Sequence, residues 1–113
     1  PVSWGNESAV LKMNVDEHIH NGSGFLQGGF YVILADEAIA LAVLAELSET
    51  EGTTTVTETT EFIRGIKEGE MYASAKIIRK GRRIIFAEAE VREGSVDGKL
   101  LSKTTASYLI TSA

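Results

Sequence analysis

The sequence predicts an α+β fold on three observations. One long apolar run, residues 28–47, is broken only by the acidic pair Asp36-Glu37. Four segments after it are β-branched or alternate in polarity, with turn signals between them. These candidate strands run about 9–11 residues, longer than the usual ~5–6, which suits an antiparallel sheet. Only the helix is apolar enough to be covered on nearly every side, so the sheet is expected to curl around it.

Residues 9–15 read as a first strand, and 16–24 as a polar loop. The helix follows over 28–47, and the polar stretch 46–52 closes on Gly52, a suitable exit and turn. Residues 53–63 are β-branched almost throughout and form the second strand. Gly69 and Glu70 introduce a strand over 71–79, and Lys80-Gly81-Arg82 is a hairpin turn into 83–92. In that strand Ile85, Ala87, Ala89 and Val91 share one face; Phe86, Glu88, Glu90 and Arg92 share the other. A turn over 94–99 leads to the last strand, 100–111. The expected sheet has about five strands on this count.

Length and composition narrow the functional classes. A chain of 113 residues, 43% hydrophobic, is expected to form one domain over 1–113. With no cysteine, disulfides and thiol catalysis are excluded, and a reducing, cytoplasmic setting is expected. A net charge of −5 argues against general nucleic-acid binding. No basic stretch followed by an apolar one opens the sequence, so no secretory signal is read. The 28–47 run nearly has membrane length, but its central Asp36-Glu37 and its many alanines make it a buried helix rather than a span.

Chemistry concentrates where the glycine-rich loop meets the helix. Gly22, Gly24, Gly28 and Gly29 allow a close approach of backbone to ligand. A helix N-terminus adds free N–H groups and a positive dipole end, together a site for a developing oxyanion. Gly28 is either such a donor or a glycine required by tight packing at the helix start. A carboxylate inside an apolar helix is costly unless used or paired. Asp36 and Glu37 point about 100° apart, so at most one of them faces a site. His18 and His20 could begin a metal site, but the sequence offers no third histidine or cysteine to complete it. Lys76, Arg79, Lys80, Arg82 and Arg83 gather positive charge on one hairpin of an acidic chain. They could meet phosphates or protect a sheet edge from pairing.

The residues Asn21-x2-Gly24-x2-Gln27-Gly28-Gly29, followed by Leu34-Ala35-Asp36-x-Ala38, resemble the PaaI-like acyl-CoA thioesterases of the hotdog fold. That group usually reads N-x2-G-x2-H-G-G and then L-x-D-x-A, and the similarity of pattern covers nearly the whole chain. The resemblance implies a long central helix wrapped by a curved antiparallel sheet, and hydrolysis of an acyl-CoA to a free acid and coenzyme A. It implies Gly28 as oxyanion donor, Asp36 as nucleophile or general base, and Asn21 and Thr55 as positioners. Gln27 and Gly29 would contact substrate, and Lys80, Arg82 and Arg83 would meet the coenzyme A phosphates. No metal or redox cofactor is implied. Gln27 departs from the pattern: where the family keeps histidine, this side chain can hydrogen-bond but not titrate. That departure keeps a non-catalytic hotdog module binding acyl-CoA or a small metabolite in view. A hotdog hydratase or dehydratase using His20 is a further alternative.

Gly28 and Asp36 are eight residues apart, ~12 Å along a helix axis, too far to serve one carbonyl. The geometry therefore predicts a two-fold homodimer in which Gly28 and Asn21 of one subunit face Asp36 of the other. A tetramer is also common among such enzymes.

Overall fold

Alternation in polarity decides which face of each strand is buried. In the computed structural model, which describes residues 3–5, 7–15, 24–26 and 28–112, Ile85, Ala87, Ala89 and Val91 are all fully buried. They lie on β5 (Ile84–Glu93), near the middle of a six-stranded sheet. Its other strands are β1 (Ser3–Gly5), β2 (Ser8–Val15), β3 (Glu51–Phe62), β4 (Gly69–Lys80) and β6 (Leu100–Ser112). The order across the sheet is β1-β2-β4-β5-β6-β3, with every neighbouring pair antiparallel.

The one helix among the described residues, α1 (Gly28–Leu44), has 17 residues. It buries Tyr31, Leu34, Ala35, Ala38, Ile39, Ala42 and Val43, a stripe at three- and four-residue spacing. That stripe packs chiefly on β2, β4 and β5. Alanines line both partners, with Ala35, Ala38 and Ala42 on the helix and Ala73, Ala75, Ala87 and Ala89 on the sheet. Small side chains on both surfaces let backbone approach backbone, while Ile39, Met71 and Ile85 fill the remaining space.

Three expectations need correction. The helix is shorter than 28–47: past Leu44 the chain tightens, with Glu46 N–H bonded to the Val43 carbonyl at 3.0 Å and Leu47 N–H to that of Leu44 at 3.2 Å. Such i to i−3 bonds are how a helix closes its last turn. The sheet does not enclose the helix on nearly every side, since Ile33, Glu37, Ala40 and Leu44 form an exposed stripe. And the sheet gains β1, only three residues long and too short for any periodic signal. The turn between β5 and β6 does depend on glycine. A Cβ on Gly98 would fall 1.7 Å from the Glu93 carbonyl oxygen, which no side chain tolerates. Among the described residues, no helix is long and apolar enough to cross a membrane.

Candidate active site

The start of α1 is held by the segment that leaves β3. Leu26 N–H donates to the Ile66 carbonyl at 2.8 Å, and Ile66 N–H donates to the Tyr31 hydroxyl oxygen at 3.1 Å. Tyr31 meets Phe62 edge to face, with ring centroids 5.9 Å apart. Between these two segments lies an open cleft of about 510 Å³, lined by apolar groups together with Gly28 and Arg64. Gly28 is the first helical residue, so its N–H belongs to the turn that has no intrahelical acceptor. Among the described residues, packing does not require glycine there. An added Cβ would touch only the Phe62 ring, at 3.6 Å, an ordinary contact. Gly29, next along, is exposed, and a Cβ there would meet nothing within 4 Å.

Two turns further on, Asp36 is half-buried and lies beside Glu58 of β3 and Tyr108 of β6. Glu37 is exposed on a different side of the helix, in a second cleft with Lys12 and Leu44. Glu58 faces inward because its cross-strand row continues through Ala106, Ala87 and Ile77, all buried. Burial first, then the hydrogen bond to Asp36 and its charge, push the Glu58 carboxyl up to about 7. Tyr108 is 5% exposed, and its hydroxyl has no hydrogen-bond partner among the described residues. Burial, reinforced by the negative charges of Asp36 and Glu58, raises the pKa of this phenol.

Thr55 is exposed on β3 and pairs with Tyr108. The pairing shifts between Thr55 and Thr57, so Thr55 rather than Val56 shares the inner face with Glu58. Lys80, Ile85, Tyr108 and Thr55 form one row across four strands. Lys80 is therefore two strand spacings, roughly 10 Å, from Tyr108. Its ammonium donates to the Glu46 carbonyl at the end of the helix. Arg82 and Arg83 are exposed in the turn between β4 and β5. Among the described residues neither forms an ion pair, whereas Lys76 of the same hairpin pairs with Glu88 at 3.3 Å. Asn21, Gln27, His18 and His20 lie outside the described residues.

The structure thus brings Asp36 together with two residues that sequence reasoning missed, Glu58 and Tyr108. It keeps Gly28 and Asp36 apart within one chain, as eight residues of helix must.

The family model described as thioesterase superfamily matches residues 23–97, which take in the helix and strands β3, β4 and β5. Among curated proteins none matches the chain. Solved structures do. A conserved protein from Pseudomonas aeruginosa is 29% identical, with 98% of this chain and 86% of that one covered and a TM-score of 0.89. A phenylacetic acid degradation-related protein from Ralstonia eutropha is 26% identical over 91% of this chain and 76% of that one, with a TM-score of 0.81. A single-site variant of the phenylacetic acid degradation protein PaaI from Thermus thermophilus is 23% identical and shares the fold, with a TM-score of 0.85 over 96% and 89% of the two chains. The chain belongs to the thioesterase superfamily and has the hotdog fold of its PaaI-like members.

Proposed function

We propose that the chain is an acyl-CoA thioesterase acting as a homodimer, with a tetramer as a further possible assembly. Water hydrolyses the thioester to a carboxylic acid and free coenzyme A. The observation that carries the reading is Gly28, the first residue of the helix, lining an apolar cleft at a position where packing among the described residues does not require glycine. In this reading the Gly28 N–H polarises the thioester carbonyl and holds the oxyanion. Asp36 of the partner subunit acts as nucleophile or general base. Asn21 and Thr55 position the attacking group, and Gln27 and Gly29 contact substrate. Lys80, Arg82 and Arg83 meet the phosphates of coenzyme A. The proposed chemistry uses no cofactor beyond the coenzyme A of the substrate, and the cytoplasm is the setting that goes with it.

Support for the dimer comes from β3. It has 12 residues and, among the described residues, pairs only with β6, so its other edge has no described neighbour and could receive a strand. Support for the chemistry comes from membership of the superfamily.

The test is a hydrolysis screen over short, medium, long and aryl acyl-CoA substrates at neutral pH without added metal, read as free thiol. Turnover is expected for at least part of the panel, and Asp36→Asn should lower kcat by ~100-fold or more. Binding of acyl-CoA with no thiol released from any substrate would make the protein a binding module instead.

A further inference from the structure

The cleft beside Gly28 suits hydrocarbon better than a polar chain. Phe25, Leu26, Tyr31, Phe62 and Ile63 give it apolar walls around about 510 Å³. Several backbone donors around it are already used. Leu26 N–H goes to the Ile66 carbonyl at 2.8 Å, and those of Ile63 and Arg64 both go to the Leu101 carbonyl, at 2.9 and 3.1 Å. The Ile66 N–H is taken by the Tyr31 hydroxyl oxygen at 3.1 Å. The pantetheine arm of coenzyme A carries amides, which would lose water here and gain few partners. A hydrocarbon acyl group has no such loss and gains by burial.

One wall holds a contact that only glycine permits. A Cβ on Gly65 would fall 2.8 Å from Cδ1 of the Phe25 ring and 3.3 Å from its Cγ and Cε1. Gly65 does not have a positive φ, so the ring, not the backbone, demands the missing side chain. Lys67 lies over the same ring, its ammonium 5.0 Å from the centroid. Phe25 is thus seated on the segment that leaves β3, yet 36% of it stays exposed. A ring fixed in this way in a cleft wall limits the room beside it.

We propose that the acyl group of the substrate lies in this cleft and that Phe25, seated on Gly65, sets the size of acyl group the protein accepts. This rests on the thioesterase reading above. With the carbonyl at the Gly28 N–H, the rest of the acyl group runs past Phe62 toward Phe25. The ring is a stop: it decides which acyl groups bind well and takes no part in the attack on the carbonyl.

The first readout needs no turnover. S-alkyl thioethers of coenzyme A, from methyl to dodecyl, have no carbonyl to attack, and their Kd is measured by calorimetry. In the wild type each methylene that enters the cleft should tighten binding about fourfold, until the cleft is full and Kd levels off. In Phe25→Ala the levelling should come at a longer chain, with the methyl thioether bound within a few-fold of wild type. A wild type that binds no thioether, or binds all lengths alike, overturns the proposal; so does levelling at the same length in both proteins. Gly65→Ala should lower the melting temperature and weaken the longer thioethers several-fold. Added to Phe25→Ala, the same change should cost nothing further, because the ring it meets is gone. Failure of Gly65→Ala to fold alongside a folded double variant would show the same coupling, whereas an equal cost with and without the ring would remove the seat. The second readout is kcat/KM across the acyl-CoA panel, whose optimum should move to longer acyl groups in Phe25→Ala. A wild type that releases no thiol defeats the thioesterase reading, while the thioether series still decides whether Phe25 limits the cleft.

Discussion

A methyl group added at Gly28 separates two explanations of this glycine. Its Cβ would reach only the Phe62 ring, at 3.6 Å, and alanine favours helix more than glycine does. Gly28→Ala should therefore fold as well as the wild type, with an unchanged or higher melting temperature. If a thioester carbonyl must approach the N–H closely, the same methyl crowds it, and kcat/KM should fall by ~10-fold or more. Thermal unfolding and steady-state hydrolysis on one preparation check both halves; loss of stability without loss of turnover would make Gly28 a packing residue. Asp36 stands out as a candidate in the sequence because an acid within a long apolar run is conspicuous. Glu58 does not. It lies in a threonine-rich strand with Glu61 three residues on, and the irregularity between Thr55 and Thr57 that sets which side chains face inward leaves no mark in the sequence. Tyr108 carries no sequence signal of its own, because the groups whose charges act on it, Asp36 and Glu58, come from other elements of the fold.

At the scale of elements, strong local periodicity was readable and weak or tertiary-controlled features were not. The alternation of β5 named its buried face correctly, residue by residue, because a strand in the middle of a sheet must hide one face. The end of α1 was misjudged because Ala45, Glu46 and Leu47 suit a helix, and only the tightening after Leu44 ends it. The β4–β5 hairpin invites a direct test. Lys76 is bound to Glu88, and Lys80 reaches the Glu46 carbonyl, but Arg82 and Arg83 are exposed and form no ion pair among the described residues. Charges held for a nucleotide phosphate should act through salt-sensitive attraction. Reversing both arginines to glutamate should raise KM for an acyl-CoA several-fold more than for a truncated thioester without the nucleotide, and the gap should shrink as salt is added. Equal effects on the two substrates would leave the hairpin as protection of a sheet edge.

The whole molecule poses the question that one chain cannot answer. Val56, Phe62 and Ile63 on and just after β3 are 58%, 58% and 54% exposed, and Ile33 and Leu44 on the helix 52% and 57%. Large apolar side chains along a sheet edge and a helix stripe that no described residue covers suit burial against another copy. The sequence could suggest this only through helix arithmetic: eight residues separate Gly28 from Asp36, and ~12 Å cannot be bridged by one carbonyl. In an isologous dimer, Gly28 of one subunit would meet Asp36 of the other, and damage to either residue would fall on different sites. Two inactive homodimers, Asp36→Asn and Gly28→Ala, should then rescue each other when their subunits exchange. Random pairing makes about half the dimers hybrid, and each hybrid holds one site with both native groups and one with neither, so about a quarter of all sites should recover. Hybrids are verified by native mass spectrometry, after each parent has been found to be badly impaired on its own. Activity that stays at the parental level in verified hybrids would put both groups in one subunit's site and require the chain to bring Gly28 and Asp36 together by some route other than the helix.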